Sequence, residues 1–467
     1  MSVTLNYFEE SVIKNKNLPI EWQDQSSLDE LEDFLQLNWE ERSIFYDDGK
    51  LSSKQQFIKF LSQKNIRSKN YIGTIAFKGH QLNIFPKVFK EFKGDYDTDG
   101  LDIKYLMHNL IQWLKYCNRV EYPFISISSN LEDCEDLREL FTTLYLHYVK
   151  RALEQVPFYR YEEKNDDTSV IRGHITFKDY INHKIPNGLY DKFNCSFSEF
   201  EFDNIVNRII KYTCRGLSDT TKSSENKKII RQILIRLNEV SDVRCVPSDC
   251  DGIRLSKLHR QYSVLLSMSK MFLLNQTSTY QIDNQESFCF LFPTELLFEG
   301  FIGGFIKEVL GKNATVKFQA SDMTLVDDLQ YGGKSLGKIF TMRHDILVKH
   351  KEKGLFILDT KYKELSRFES VENEAELRQM INKEISQNDV YQMISYAVKR
   401  GVSDVYLLYP LYRFEDCEPY FPISIVNQAS GETIKVHMVR LPFVFEDDIE
   451  SVKANLAMTI DKIFDEV

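Results

Sequence analysis

The chain has 467 residues, of which 43% are hydrophobic and 27% are charged, a composition typical of a globular protein with several domains. Its formal net charge of -10 argues against a protein that coats nucleic acid or an anionic membrane by overall attraction. No apolar run of about 20 residues occurs, and the acidic start lacks the basic and apolar regions of a secretion signal, so the sequence predicts a cytoplasmic protein without a membrane partner.

The first 97 residues are predicted to form a β-rich domain. Residues 1–50 hold twelve acidic and four basic side chains, a local net charge of -8, so this segment is not expected to lie on DNA. Residues 71–87 alternate apolar and polar side chains around the turn-forming Lys78-Gly79-His80, which predicts a β-hairpin. The run 92–100 is rich in Gly and Asp and indicates a loop or linker at the end of this domain.

A mixed domain of helices and strands is predicted for residues 98–285. Its predicted elements are amphipathic helices at 103–117 and 137–156, a strand at 170–177, and a helix at 203–217 with Asp203 as its N-cap. The window 205–275 carries thirteen basic and six acidic side chains. That excess fits a solvated helical face as well as it fits a surface for phosphates or for an acidic partner, so both interpretations stay open.

The C-terminal domain is predicted to span residues 286–467 and to contain a mixed sheet. Its apolar patterns give the order α-β-β-β-α-β, with a helix at 293–310, strands at 314–320, 339–349 and 354–361, a helix at 389–399 and a strand at 405–409. The whole chain is therefore expected to be a multidomain α/β protein.

Two neighbouring strands of this domain carry carboxylates. An apolar strand runs directly into Asp359-Thr360-Lys361, and Asp345 lies on the strand before it. Two close carboxylates repel each other unless a divalent cation neutralises them, and Mg²⁺ binds such oxygens together with a main-chain carbonyl, here that of Thr360. A metal so held polarises a phosphate, and Lys361, on the same strand face as Asp359, can position the attacking water. This pattern predicts phosphodiester hydrolysis.

An acid two residues before a lysine is a weak signal alone, since the chain also contains pairs such as Glu91 and Lys93. The flanking helices make the pattern more specific. The preceding helix carries Glu299, and the following helix carries Gln392 and Tyr396 one turn apart, a spacing that lets both face the same site.

The resemblance to a known superfamily is carried by Glu299, Asp345, Asp359-x-Lys361 and Gln392-x-x-x-Tyr396. In this order they resemble the PD-(D/E)xK nucleases, particularly those with a Gln-x-x-x-Tyr helix. The segments ILDTKYK, DVYQMISYA and LLYP are similar to the McrC family, the nuclease subunits of McrBC modification-dependent restriction systems. The similarity continues upstream through IGTIAFKGHQLNIFPK, HNLIQWLKY, IRGHITF and DNIVNRIIKYT and covers most of the chain from about residue 71. The family's usual proline before the first aspartate is His344 here, a departure at a structural position.

The resemblance implies cleavage of double-stranded DNA that carries 5-methylcytosine, with Mg²⁺ or Mn²⁺ as the metal. It implies activation by a McrB-like hexameric AAA+ GTPase, whose GTP hydrolysis the nuclease subunit stimulates. Residues 1–97 would then bind the partner, and residues 98–285 would contact the partner ring or DNA. The implied roles are metal binding by Asp345, Asp359 and Thr360, support of the attacking water by Lys361, assistance from Glu299 as an outer or second-metal acid, and shaping of the site by Gln392 and Tyr396.

Motifs for nucleotide binding are missing from the sequence. Gly333-Lys334-Ser335 is the only string like a Walker A motif, and Asp328 occupies the place of its required upstream glycine, so the chain is not expected to bind GTP itself. The eight cysteines include no CxxC pair, which excludes a zinc ribbon. Two alternatives stay open, a non-catalytic adaptor that activates a ring NTPase and a stand-alone PD-(D/E)xK defence or repair nuclease.

Overall fold

The computed structural model describes residues 3–40, 53–92, 103–117, 137–259, 261–277, 287–363, 365, 371, 373–411, 420–426, 431–445 and 449–465. Over these residues the chain is a mixed α/β molecule with several sheets. In the same ranges, every helix is too short or too polar to cross a membrane.

The N-terminal elements are β1 (Thr4–Phe8), β2 (Val12–Ile13), α1 (Gln25–Glu40), β3 (Ile58–Phe60), β4 (Ile66–Ser68), β5 (Tyr71–Phe77) and β6 (His80–Phe85). The predicted hairpin is confirmed, since β5 and β6 pair antiparallel with Thr74 opposite Asn83. Its two-residue turn places Lys78 and Gly79 in the left-handed region, at φ 46° and 73°. Most of the predicted linker at 92–100 lies outside the described residues.

The middle elements are α2 (Ile103–Tyr116), α3 (Leu137–Gln155), β7 (Arg160–Thr168), β8 (His174–Ile175), α4 (Phe177–Asp179), β9 (Phe193–Glu201), α5 (Ile205–Thr220), α6 (Ser224–Arg236) and α7 (Gln261–Thr277). The first two predicted helices are confirmed. The strand predicted at 170–177 shrinks to β8, because Gly173 turns the backbone at φ +64° and Phe177 already begins a helical turn. Asn204, not Asp203, caps α5 by accepting from the Asn207 N–H.

The C-terminal elements are β10 (Phe288–Pro293), α8 (Thr294–Leu310), β11 (Ala314–Val326), β12 (Gln330–Tyr331), β13 (Lys334–Ser335), β14 (Ile339–His350), β15 (Gly354–Thr360), α9 (Glu374–Glu384), α10 (Gln387–Arg400), β16 (Asp404–Leu411), β17 (Tyr420–Val426), β18 (Thr433–Pro442) and α11 (Ile449–Asp465). Six of these strands form one mixed sheet in the order β11-β14-β15-β16-β18-β17. The first three strands pair antiparallel, whereas β15 and β18 each run parallel to β16.

The central strands of the six-stranded sheet, β15 and β16, are buried on both faces, which explains their long apolar runs. Ile346 and Val348 pack with α8 and α11 in the largest core of the described residues. Leu347 and Ile357 point the other way and pack with Met393 of α10. The alternation therefore places α8 on one face of the central strands and α10 on the other.

Strand β10 connects the N-terminal sheet to the C-terminal one. It pairs antiparallel with β5, with Phe290 opposite Thr74, and completes a four-stranded sheet in the order β1-β6-β5-β10. The two backbones approach so closely that a Cβ on Gly73 would lie 2.0 Å from the Phe290 carbonyl oxygen, and Gly73 also has φ +140°. Because α8 begins directly after β10, the N-terminal sheet positions the start of that helix.

Candidate active site

Adjacent strands bring the two predicted aspartates together where the pairing of β14 with β15 ends. Ile346 of β14 lies opposite Leu358 of β15, so extending the antiparallel register by one residue places Asp345 beside Asp359. Lys361 follows β15, and its backbone N–H donates to the Leu408 carbonyl of β16 at 2.8 Å. The sheet therefore fixes both carboxylates and the lysine at the C-terminal end of β15.

Asp345 is held by hydrogen bonds to both of its carboxylate oxygens. Its Oδ2 accepts from the backbone N–H and from the Oγ1 hydroxyl of Thr360, each at 3.0 Å. Its Oδ1 accepts from Nε2 of Gln319 at 3.1 Å, and the same amide nitrogen also donates to the Oε1 oxygen of Glu299. Glu299 thus reaches Asp345 through Gln319, a residue of β11.

Asp359 is contacted by the lysine and by helix α10. The Lys361 Nζ lies 2.5 Å from its Oδ2, and 3.7 Å from Oδ1 of Asp389 in the first turn of α10. One turn later, Nε2 of Gln392 lies 3.4 Å from the Asp359 Oδ1. The predicted lysine and the predicted glutamine therefore contact the same carboxylate.

Tyr396 supports this arrangement from the next turn of α10. Its hydroxyl accepts from the Gln392 amide at 2.8 Å and donates to the Arg343 carbonyl of β14 at 2.6 Å. The ring packs against His344, with centroids 4.4 Å apart, and His344 Nδ1 lies 3.1 Å from the Ala320 carbonyl. Since His344 is fully buried among these contacts, it has a structural position in the sheet.

The electrostatics of the site depend on burial. Asp359 is only 1% exposed, and burial, together with the nearby charge of Asp345, raises the pKa of its carboxyl to about 7. Burial also disfavours the ammonium of Lys361, but the neighbouring carboxylates, led by Asp359, outweigh it and raise the pKa of Lys361. Lys361 is therefore a cation at neutral pH, whereas Asp359 is poised between its two protonation states.

The donor set fits a hard divalent cation. In the described ranges no group of three or more His, Cys, Asp and Glu side chains surrounds a common metal position. Two aspartates and a main-chain carbonyl still suit Mg²⁺, because it keeps several of its own waters and is often held by one or two carboxylates. A cation bound by Asp345 and Asp359 would also relieve the repulsion that raises the Asp359 pKa.

Two residues of this network were missed by the sequence reasoning. Asp389 lies three residues before Gln392, a helical spacing that could have placed it on the same face. Gln319 gave no local signal, because its place beside Asp345 depends on the pairing of β11 with β14. It adopts a left-handed backbone, at φ 48°, next to a shift in register between Ala320 and Met323.

The basic window at 205–275 is partly neutralised within the fold. Arg208 pairs with Asp203, Lys211 and Arg215 both pair with Asp242, and Lys270 pairs with Asp251. These ion pairs reduce the positive charge available to a ligand, and both interpretations of the window stay open.

Comparison with known proteins gives a family and a fold. A family model for a component of the McrBC 5-methylcytosine restriction system matches residues 66–410, well over half of the chain. Among solved structures, a chain of the refined half-complex from a tetradecameric assembly of Thermococcus gammatolerans McrB AAA+ hexamers with bound McrC is 15% identical, with a TM-score of 0.63 over 99% of this chain and 100% of that one. The cryo-EM structure of the Thermococcus gammatolerans McrBC complex gives 17% identity and a TM-score of 0.46 over 66% of this chain and 88% of that one. No curated protein sequence matches this chain.

Proposed function

The chain belongs to the family of McrBC 5-methylcytosine restriction system components, and we propose that it is the endonuclease subunit of such a system. In this proposal it cleaves double-stranded DNA carrying 5-methylcytosine, in a Mg²⁺-dependent reaction, when a McrB-like AAA+ GTPase activates it. The observation that carries the proposal is the cluster of Asp345, Asp359 and Lys361 at the C-terminal end of β15, with Gln392 of α10 against the Asp359 carboxylate.

The proposed chemistry follows from the charges of these groups. Asp345, Asp359 and the Thr360 carbonyl would hold Mg²⁺, which supplies polarisation of the scissile phosphate and a more acidic bound water. Lys361, kept as a cation by its neighbours, offsets negative charge on the phosphate in the transition state and orients the attacking water. Gln392 holds Asp359 in place, and Tyr396 holds β14 through the Arg343 carbonyl.

Glu299 has a supporting role in this proposal. Its carboxylate is joined to Asp345 through the Gln319 amide, so it acts on the metal site from outside the ligand set. The order of elements around the site, α8-β11-β14-β15-α10-β16, matches the arrangement expected of a PD-(D/E)xK nuclease and supports that fold assignment.

A ring-shaped GTPase is the proposed partner. The solved structure with the same fold is described as McrB AAA+ hexamers with bound McrC. Residues 160–201, which contain the three-stranded sheet β7-β9-β8, also expose large apolar side chains, as protein interfaces do. These exposed side chains include Tyr161, Val170, Phe177, Tyr190 and Phe200. The GTP site belongs to the partner in this proposal, and this chain binds no nucleotide.

Plasmid cleavage with Mg²⁺ tests the proposal directly. Methylated and unmethylated plasmids are compared with the chain alone and with the partner GTPase plus GTP, and cleavage is expected only with methylation, partner and GTP together. Asp359→Ala should abolish cleavage but keep complex assembly and stimulation of GTP hydrolysis. Glu352→Ala, an exposed acid in the β14–β15 turn, serves as the matched control and should cut like wild type.

The outcomes separate the alternatives. Stimulated GTP hydrolysis without cleavage under any metal would indicate a non-catalytic adaptor. Cleavage by the chain alone would indicate a stand-alone nuclease. Full activity of the Asp359→Ala variant would refute the proposed site.

A further inference from the structure

Glu9 is a fully buried carboxylate at the end of the N-terminal strand β1. Its Oε1 accepts from the Tyr362 hydroxyl at 2.7 Å and from the Lys87 backbone N–H at 2.9 Å, and its Oε2 accepts from the Thr294 hydroxyl at 2.9 Å. Burial raises the pKa of Glu9, although these donors oppose the effect. A buried acid with three donors from distant segments holds those segments in one geometry.

Two of the three donors belong to segments that carry the candidate active site. Tyr362 directly follows Lys361, so its ring and hydroxyl limit where the Lys361 backbone can lie. Thr294 is the first residue of α8, the helix that carries Glu299. The Glu9 carboxylate therefore contacts the segment after β15 and the start of α8 at once.

Further packing makes Tyr362 part of the same junction. The Lys87 ammonium lies 4.8 Å from the centre of the Tyr362 ring, and that ring also packs against Phe298, with centroids 5.9 Å apart. Phe298 precedes Glu299 on α8. Movement of Glu9 would thus be transmitted to the backbone neighbours of both Lys361 and Glu299.

We propose that Glu9 is a positioning residue for the nuclease site, acting through Tyr362 and Thr294 to fix Lys361 and helix α8. The N-terminal unit is then part of the cleavage machinery and not only a region that binds the partner. This inference rests on the proposed nuclease function. Glu9→Gln keeps the volume of the side chain but replaces one acceptor oxygen with a donor NH₂ group. The variant therefore disturbs the hydrogen bonds from Tyr362, Thr294 and Lys87 with little change in packing.

The test uses the full chain with its partner GTPase, GTP, Mg²⁺ and methylated plasmid. Glu9→Gln and Tyr362→Phe are compared singly and together, and Glu32→Gln is the control, since Glu32 is an exposed acid on α1 of the same N-terminal unit. Each single variant should lower kcat by about tenfold with little change in the KM for DNA, because it weakens a positioning contact. Stimulation of GTP hydrolysis and Tm should stay near wild type.

Coupling between the two variants decides whether Glu9 acts through Tyr362. The double variant should lose no more than about tenfold, since both changes remove the same contact. Wild-type cleavage by the Glu9→Gln variant would overturn the inference, as would a loss of cleavage that only follows a loss of Tm and of GTPase stimulation. If the wild-type complex never cuts, the nuclease proposal itself fails and takes this inference with it.

Discussion

Removing the charge of Asp359 should stabilise the metal-free protein, even though it abolishes the proposed activity. Asp359 is almost fully buried beside Asp345, and its carboxyl has a pKa of about 7 in place of the ordinary 3.8. The folded protein therefore keeps this proton up to about pH 7, whereas the unfolded chain releases it near pH 4. Where the folded state binds more protons than the unfolded state, the free energy of unfolding falls as the pH rises.

The size of the effect follows from the rise in pKa. Each tenfold change in proton affinity corresponds to about 1.4 kcal/mol, so the charged Asp359 lowers the free energy of unfolding by at most about 4 kcal/mol above pH 7. That limit already includes the attraction of Lys361, which opposes the effect. Asp359→Asn should therefore raise the Tm by several degrees at pH 8 and by almost nothing at pH 4.

Thermal unfolding in the presence of a metal chelator measures this difference across pH 4 to 8. Added Mg²⁺ should raise the Tm of wild type at pH 8 and leave the Tm of the Asp359→Asn variant unchanged, because one of the proposed metal ligands is lost. Asp404→Asn is the control on the same sheet. Hydrogen bonds from Ser403 and His437 outweigh the effect of burial and lower the Asp404 pKa, so this variant should lose stability at pH 8. A variant at position 359 that is no more stable than wild type at pH 8 would refute the electrostatic reasoning.

Three further predictions concern the network around the site and the packing of helix α8 beside it. Gln319→Ala should raise the Mg²⁺ concentration needed for half-maximal plasmid cleavage and lower the rate by about tenfold, because the amide that links Glu299 to Asp345 is lost. Mg²⁺ titrations of plasmid cleavage measure both changes. Gln319→Gly should lose as much activity as Gln319→Ala but be more stable than that variant, because glycine adopts the left-handed backbone at this position without strain. Tyr396→Phe keeps its packing on His344 but loses its hydroxyl contacts, so the cleavage rate should fall by about tenfold with little change in Tm. Gly303→Ala should lower the free energy of unfolding, measured by urea denaturation, by about 1–3 kcal/mol, because the new Cβ would lie 2.4 Å from the Phe318 ring. Adding Phe318→Leu should restore part of this loss. An unchanged stability of the Gly303→Ala variant would contradict the packing argument.

Local patterns were sufficient to predict six of the thirteen C-terminal elements named above, α8, β11, β14, β15, α10 and β16, which surround the candidate site. The apolar strand before Asp359 and the helix that ends at Gly401 both follow periods that are visible over a few residues. Gly401 indeed ends α10 in the left-handed conformation, at φ 66°. The predicted site residues also lie in one connected network, because each is placed by an element whose period could be recognised. Their catalytic roles stay a prediction.

Other elements were not predicted because their sequences are rich in charged and polar residues. Helix α1 buries Leu28, Leu31, Phe34, Leu35 and Trp39 at helical spacing, yet the acids between them make the segment look like a charged surface. Strand β7 (Arg160–Thr168) is almost wholly polar, and its strand conformation depends on nine successive pairs with β9. Such a strand has no period of its own to detect, since it buries little apolar surface.

Contacts between distant segments set the limit of what sequence alone could predict. Glu9 and Tyr362 are 353 residues apart, and Glu9 belongs to no recognisable motif. In the sequence Glu9 counts as one of twelve acids in a charged segment, whereas in the fold it is the least exposed of the nine that the structure describes, and it contacts the junction beside Lys361. A chain beginning at residue 286 would keep all six predicted catalytic residues, but it would lose the partner strand of β10 and the carboxylate that holds Tyr362 and Thr294. The motif therefore predicts the chemistry, and the contacts of Glu9 support the proposal that the N-terminal sheet completes the geometry of the site.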